Sequence, residues 1–148
     1  MCIRDSWCTS DEAKAKLAGC VSATNAPKIM SAPVSVIIGM DVNFHEYLPE
    51  LFPHTDAKAW FVGNTELREV SAMRNSTLQG AYFIMAARAL GLDTGPMSGF
   101  DNGKVDLEFF ADQPGVRSNF ISTLGHGDPA SVHDRLPRPE FAKFNRIA

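Results

Sequence analysis

Apolar positions gather in a few separated runs, and the densest lies between Glu66 and Leu90. Its first part, Glu66-Leu-Arg-Glu-Val-Ser-Ala-Met-Arg-Asn75, alternates charged and apolar residues; from Ala81 to Leu90 the only charged residue is Arg88. Asn64 and Thr65 are good N-cap types, Glu66 and Glu69 suit the positive end of a helix dipole, and Gly91 stands where a left-handed terminal residue belongs. The pattern predicts one helix across this stretch, roughly 37 Å long at 1.5 Å per residue. A helix so apolar in its second half cannot lie on a surface. That half is expected against the sheet and a partner subunit, with Gly80 and Ala81 permitting close approach.

The rest of the pattern is shorter-ranged. The β-branched run Val34–Ile38, inside Ala32-Pro-Val-Ser-Val-Ile-Ile-Gly-Met-Asp41, predicts a buried strand. Asn119-Phe-Ile-Ser-Thr-Leu124 predicts a second, ended by Gly125 and Gly127. Thr9-Ser-Asp-Glu12 reads as a capping box before a short helix, Asp11 to Ala18, that stops at Gly19. Asn25-Ala-Pro-Lys28 reads as a turn. Asp101 should cap a helix through Val105, Leu107 and Phe110 that ends near Pro114. Between Val42 and Asn64, Pro49 and Pro53 restrict any helix to short pieces, with another turn or two over Ala57 to Val62. The aromatics of that segment fit a lid over a site or, equally, a loop covering the sheet. From Arg135 the tail is extended, then helical for about one turn. Two strands make a marginal sheet, which points to elements missing from the front.

Composition narrows the classes. A chain of 148 residues suits one domain with a real core. A net charge of −3 with scattered basic residues excludes a nucleic-acid surface. The longest apolar run, Ala81 to Ala87, is too short to span a bilayer. Cys2, Cys8 and Cys20 are odd in number and show no CxxC pairing, so a reduced, cytoplasmic setting is the simpler expectation. Met1 to Ser6 lacks the layout of a signal peptide and leads into no periodic element. Residues 1–8 therefore read as a foreign or unstructured leader, ahead of a partial domain over residues 9–148.

Several motifs fail on their own chemistry. Gly95-Pro-Met-Ser-Gly99 resembles a nucleophile elbow, but that turn needs its serine third of five and Ser98 is fourth. His45, His54, His126 and His133 have no ligand spacing, and Asp101-Asn-Gly103 lacks the later acidic ligands of a calcium loop, so no metal site is expected. Asn75-Ser-Thr77 matches a glycosylation triplet inside the long helix and is best explained by chance.

Three separated pieces remain. Asn25 and Lys28 offer an amide and a cation; Thr94-Gly-Pro-Met-Ser-Gly99 offers backbone unshielded at Gly95 and Gly99; Arg135 and Arg138 offer guanidinium groups for a phosphate. Singly, an Asn-x-x-Lys is usually a turn and two arginines a solvated face. Together they are what a flavin mononucleotide (FMN) needs.

The run Ala89-Leu-Gly-Leu-Asp-Thr-Gly-Pro-Met-Ser-Gly-Phe-Asp101 resembles the flavin-contacting turn of the nitroreductase family. The helix before it resembles that family's long central helix at the dimer interface. Asn25-Ala-Pro-Lys-Ile-Met-Ser-Ala-Pro-Val34 and Arg135-Leu-Pro-Arg138 fall in the right order around them. With Leu51-Phe-Pro-His54, Asp56 and Trp60-Phe61, the resemblance is nearest to the malonic semialdehyde reductases of pyrimidine catabolism and covers Thr9 to the end. It implies an α+β fold, a nitroreductase-like sheet flanked by helices with a long central helix. The family's N-terminal helices and first strand are lacking here, as in an N-terminally truncated chain; they normally bring part of the flavin phosphate site.

The resemblance also implies a homodimer with FMN at the subunit interface. Asn25 and Lys28 would face the flavin's pyrimidine edge. Thr94, Gly95, Pro96, Met97, Ser98 and Gly99 would form the turn beside it, Ser98 and Gly99 nearest N5. Arg135 and Arg138 would hold the phosphate. NAD(P)H would reduce FMN, and N5 would pass a hydride to 3-oxopropanoate (malonic semialdehyde), giving 3-hydroxypropanoate by a ping-pong route. A nitroaromatic, quinone or enone substrate is the alternative of the same class. A non-catalytic flavin-binding module and an inert fragment are alternatives outside it. No side chain stands out as proton donor, and Ser98 is a position rather than a nucleophile.

Overall fold

The computed structural model describes residues 3–148. Four strands, β1 (Ile3–Cys8), β2 (Val34–Asp41), β3 (Asp93–Met97) and β4 (Val116–Gly125), form one antiparallel sheet in the order β1-β2-β4-β3. Helices α1 (Asp11–Ala18), α2 (Ala26–Ser31) and α5 (Asn102–Phe109) lie on one face. There Leu17, Ile29, Ile37, Val105 and Ile121 are fully buried together. The long helix α4 (Thr65–Ala89) crosses the other face. A short helix α3 (Leu48–Leu51), between 3-10 turns at Phe44–Tyr47 and Ala57–Trp60, connects β2 to α4, and α6 (Phe141–Phe144) lies in the tail.

Helix α4 is held to the sheet by small residues. Ala72, Ser76, Gly80 and Ala87 are its buried positions. A Cβ on Gly80 would stand 2.4 Å from the ring of Phe120 and 3.4 Å from Ile38, so the helix sits on its own sheet as closely as a glycine allows. Of the two surfaces expected against this helix, the chain's own sheet is the one Gly80 meets. Beneath it the β2–β4 register shifts from Ile38↔Phe120 to Gly39↔Ser118, leaving Asn119 as a bulge. Ser76 Oγ donates to the Gly39 carbonyl at 2.8 Å, and Asn119 Nδ2 donates to Ser76 Oγ and Thr77 Oγ1. The outward face keeps Leu78, Tyr82, Met85 and Leu90 exposed, Tyr82 at 76%.

Most of the expected elements form. β2 and β4 extend the predicted strands at both ends or one, α4 is capped by Asn64 accepting from Leu67 N, and Gly91 has φ +79. Asp101 caps α5 by accepting from Lys104 N. The segment after β2 is helical only in short interrupted pieces, as its prolines require.

Four expectations are corrected. Residues 3–8, part of the stretch read as a foreign or unstructured leader, are not unstructured but form β1, whose pairing to β2 runs from Ile3↔Met40 to Cys8↔Ser35; residues 1 and 2 of that stretch lie outside the described residues. Thr94 to Met97, read as a turn, form β3. Gly95 leaves room for the Thr123 side chain of the neighbouring strand, and Pro96 is tolerated because β3 is an edge. The sheet thus has four strands rather than two. Asn25-Ala-Pro-Lys28 opens α2, with proline in its first turn, instead of making a free turn. Finally, α1 is capped by Ser10, not Thr9; Glu12 pairs with Lys16 at 3.5 Å instead of closing a capping box, and Gly19 stays right-handed at φ −69.

Candidate functional site

The end of β3 meets the loop before α2. Past Met97 the chain turns, and the Gly99 carbonyl accepts from Ser22 N at 2.9 Å and from Asn25 Nδ2 at 3.2 Å. Asp101 N donates to Cys20 O, and Val21 and Phe100 bridge, so the two segments are laced along their length. Asn25 is 8% exposed, and its Oδ1 accepts from Lys28 Nζ at 3.4 Å. Lys28 is itself exposed and, among the described residues, forms no ion pair with a carboxylate. A Cβ on Gly99 would lie 2.8 Å from Asn25 Nδ2 and 3.2 Å from Ser22 Oγ, so this approach needs glycine. An uncompensated cation, a buried amide and exposed backbone at Ser98 and Gly99 therefore share one corner of the fold. That combination suits a flat, polar-edged molecule carrying negative charge.

The other anticipated residues are placed differently. Thr94, Gly95, Pro96 and Met97 are sheet residues; Gly95 faces Thr123, and Met97 packs onto the apolar cluster beneath the sheet. Of that stretch only Ser98 and Gly99 stand with Asn25 and Lys28. Arg135 and Arg138 lie on the exposed tail. Arg138 donates to Leu136 O at 2.8 Å, and among the described residues no hydrogen bond or ion pair joins either arginine to the corner. The tail leaves the sheet at Gly127, whose N–H donates to Asp93 Oδ2 at 2.8 Å while Arg88 pairs with the other carboxylate oxygen. Ser22 is the one contributor that the sequence reading passed over. Its part is played by its backbone N–H, which no side-chain pattern announces.

The aromatic segment from Phe44 to Phe61 packs elsewhere. Phe44 meets Phe61 edge-on at 4.8 Å and joins Met40 and Ala72 in a second apolar cluster. His45 is buried with Nε2 3.5 Å from Arg68, and Lys58 holds the Glu46 carboxyl below its usual range. Among the described residues its hydrogen bonds, ion pairs and ring contacts run to α4, to Arg4, to the adjoining Asn43 and Asn64 and within itself, and none reaches Asn25, Lys28 or Gly99.

Of the described cysteines, neither Cys8 nor Cys20 is poised as a nucleophile. Burial pushes the Cys8 thiol up to about 11 and raises that of Cys20, whose Sγ lies 3.4 Å from Lys16 O. Among the described residues no cluster of His, Cys, Asp and Glu could hold a metal, and no helix is long and apolar enough to cross a membrane.

No family model matches the chain. Curated proteins do. One from Burkholderia lata is 59% identical over 138 residues, covering 93% of this chain and 70% of that protein. Another from Stenotrophomonas maltophilia is 61% identical over 140 residues, covering 95% and 71%. Both carry the name "putative NADH dehydrogenase/NAD(P)H nitroreductase". Among solved structures, an Exiguobacterium sibiricum protein described as a nitroreductase in complex with FMN superposes with a TM-score of 0.84 at 16% identity, covering 99% of this chain and 77% of its own. The enone reductase CLA-ER of gut-bacterial fatty acid saturation gives 0.78 at 20% identity, covering 98% and 76%. At such identities the superpositions speak for the fold alone.

Proposed function

This chain belongs to the nitroreductase family, and on that premise we propose that it is an FMN-dependent NAD(P)H oxidoreductase. FMN would lie over Ser98 and Gly99 with its pyrimidine edge toward Asn25 and Lys28. The observation that carries this reading is the meeting of Gly99, Asn25 and Lys28, brought together from segments 74 residues apart. The residues fit the group in two respects. Ser98 and Gly99 are exposed where a ring could approach, and Lys28 brings a cation without a carboxylate partner. When bound, FMN supplies two-electron hydride chemistry. What the chain contributes is a flat backbone surface and positive charge beside the edge where negative charge must be stabilised, a contribution that salt will screen because Lys28 is exposed. Arg135 and Arg138 are proposed for the phosphate as part of the tail. A homodimer is supported by the exposed apolar line Leu78, Tyr82 and Met85 on α4.

For the substrate we take 3-oxopropanoate, reduced to 3-hydroxypropanoate. The support is the likeness of Leu51-Phe-Pro-His54, Asp56 and Trp60-Phe61 to the malonic semialdehyde reductases. Reduction of a nitroaromatic is supported instead by the names that the curated relatives carry. A flavin-binding module without substrate chemistry draws support from the aromatic segment, which in one chain covers α4 rather than Gly99.

The test is direct. Purified protein is titrated with FMN by quenching of flavin fluorescence, then assayed for NADPH oxidation with 3-oxopropanoate and with a nitroaromatic. Binding is expected, with Lys28→Ala weakening it about tenfold, as loss of one hydrogen bond to a charged group implies. Flavin binding without oxidation by either acceptor would leave the binding module; absence of flavin binding would remove the proposal.

A further inference from the structure

We propose that Asp5 and Gln79 share one proton, closing an acid–amide pair that latches the edge strand β1 to helix α4 and slackens when that proton is lost. The proposal stands apart from the flavin reading. Its ground is the alternation of β1, whose successive side chains point to opposite faces of the sheet. Cys8 joins the apolar cluster under α1, α2 and α5; Arg4, on the same side, pairs with Asp41 at 3.1 Å and lies over the Tyr47 ring. Asp5 and Trp7 are turned the other way, toward α4. There Trp7 meets Phe83 edge-on at 5.8 Å, and Gln79 Nε2 donates to Asp5 Oδ2 at 2.8 Å.

The two remaining oxygens of this pair are the anomaly. Asp5 Oδ1 and Gln79 Oε1 are both buried, and among the described residues neither has a hydrogen-bond partner. Both are acceptors, and buried acceptors are ordinarily given a donor. Turning the amide over would only set Oε1 against Oδ2. A proton on Oδ1 removes both defects at once, because a protonated carboxyl carries one O–H donor and keeps an acceptor, matching the carbonyl and N–H of an amide. Nε2 then donates to Oδ2 while Oδ1 donates to Oε1, and the ring is closed.

The surroundings favour the neutral acid. On this face β2 sets Val36 and Ile38 in register with Trp7 and Asp5, and neither carries charge. Arg74 and Arg88, the charged residues of α4 nearest to Gln79 in sequence, are exposed, as is Tyr82, while Arg4 and Asp41 answer each other on the opposite face. Among the described residues Asp5 makes no ion pair. Burial pushes its carboxyl above the ordinary 3.8, against the opposing pull of the Gln79 amide and the Gly39 backbone N–H. Between 3.8 and the raised value the folded chain keeps a proton that the unfolded chain has released, so stability falls as pH rises across that window. Above the window the latch is weakest. The strand it holds has a neighbour on one side alone, so α4 is its second support.

Carbon NMR of the full chain, following side-chain carboxyl and amide signals against pH, tests the shared proton. The Asp5 Cγ signal should titrate above 3.8, and the Gln79 Cδ signal should move with the same midpoint as its carbonyl gains a donor. An Asp5 midpoint at or below 3.8, or a Gln79 signal that does not follow it, would overturn the proposal. Thermal melting tests the latch. Asp5→Asn carries a permanent donor where the acid has its proton, so it should melt about 2–4 °C above wild type at neutral pH. That gap should close as acid protonates Asp5 in the wild type. A variant no more stable than wild type at neutral pH, or a gap that stays constant on acidification, would overturn the latch. The wild-type titration needs no variant, so a failure of Asp5→Asn to fold leaves the shared proton decided by it alone.

Discussion

On one face of the sheet Leu17, Ile29, Ile37, Val105 and Ile121 meet with no exposed surface, while on the other α4 rests on Ala72, Ser76 and Gly80. The first face is stabilised by side-chain volume, at about 1.5–3 kcal/mol for each large apolar residue withdrawn from water. The second is stabilised by closeness and by hydrogen bonds into the Asn119 bulge. The difference decides what each layer has left to offer. Helices α1, α2 and α5 put Leu17, Ile29 and Val105 on the sheet, whereas α4 rests there on small residues and retains a line of large ones, Leu78, Tyr82 and Met85, facing outward. A helix that looks too apolar for a surface is reconciled with this fold by having two apolar faces, only one of them covered in the single chain.

The contrast can be broken most easily on the volume side. Ile37→Ala should cost about 2–5 kcal/mol in urea unfolding, because a rigid apolar cluster cannot collapse into the space. Gly80→Ala sharpens the contrast, since two effects oppose. Helix propensity gains up to about 1 kcal/mol, and the clash with the Phe120 ring costs about 1–3 kcal/mol as overpacking. A net loss near 1 kcal/mol is expected; a stabilised variant would show that α4 is not seated as closely as described. Ser76→Ala should have the smallest effect, about 0.5–1.5 kcal/mol, removing the bond to Gly39 O and one partner of Asn119. Were it to cost as much as Ile37→Ala, the hydrogen bonds and not the close approach would be what holds the helix.

How much of this was legible follows from where sequence and tertiary structure agree. β2, α4 and α5 carry their signals locally: a β-branched run, an Asn64 cap with Gly91 beyond, an Asp101 cap. Strand β3 does not. Thr94-Gly-Pro-Met97 has the composition of a turn, and becomes a strand because Thr123 fills the space over Gly95 and because the edge asks no N–H of Pro96. β1 was hidden because Arg4, Asp5 and Ser6 show no apolar alternation; its order comes from the unpaired edge of β2. At the corner the same division holds. Asn25, Lys28 and Gly99 were readable as residue types in a familiar order, but the amide's two opposed bonds depend on where Gly99 lands, and Ser22 contributes only its backbone. Nothing in the spacing of Arg135 and Arg138 could say whether the tail folds back.

The Asp93 clamp gives that tail a geometry all the same. With Gly127 N–H held at 2.8 Å, the chain beyond it is a leash with a fixed origin. Arg135 lies eight residues out and Arg138 eleven, and a fully extended chain covers at most about 3.5 Å per residue. Arg135 is therefore confined to a sphere of about 28 Å around the clamp, and Arg138 to one of about 38 Å. Any phosphate they serve, in this subunit or in another, has to lie within an arginine side chain's reach of those spheres, so a single carboxylate at the start of an edge strand sets the region within which both arginines must act.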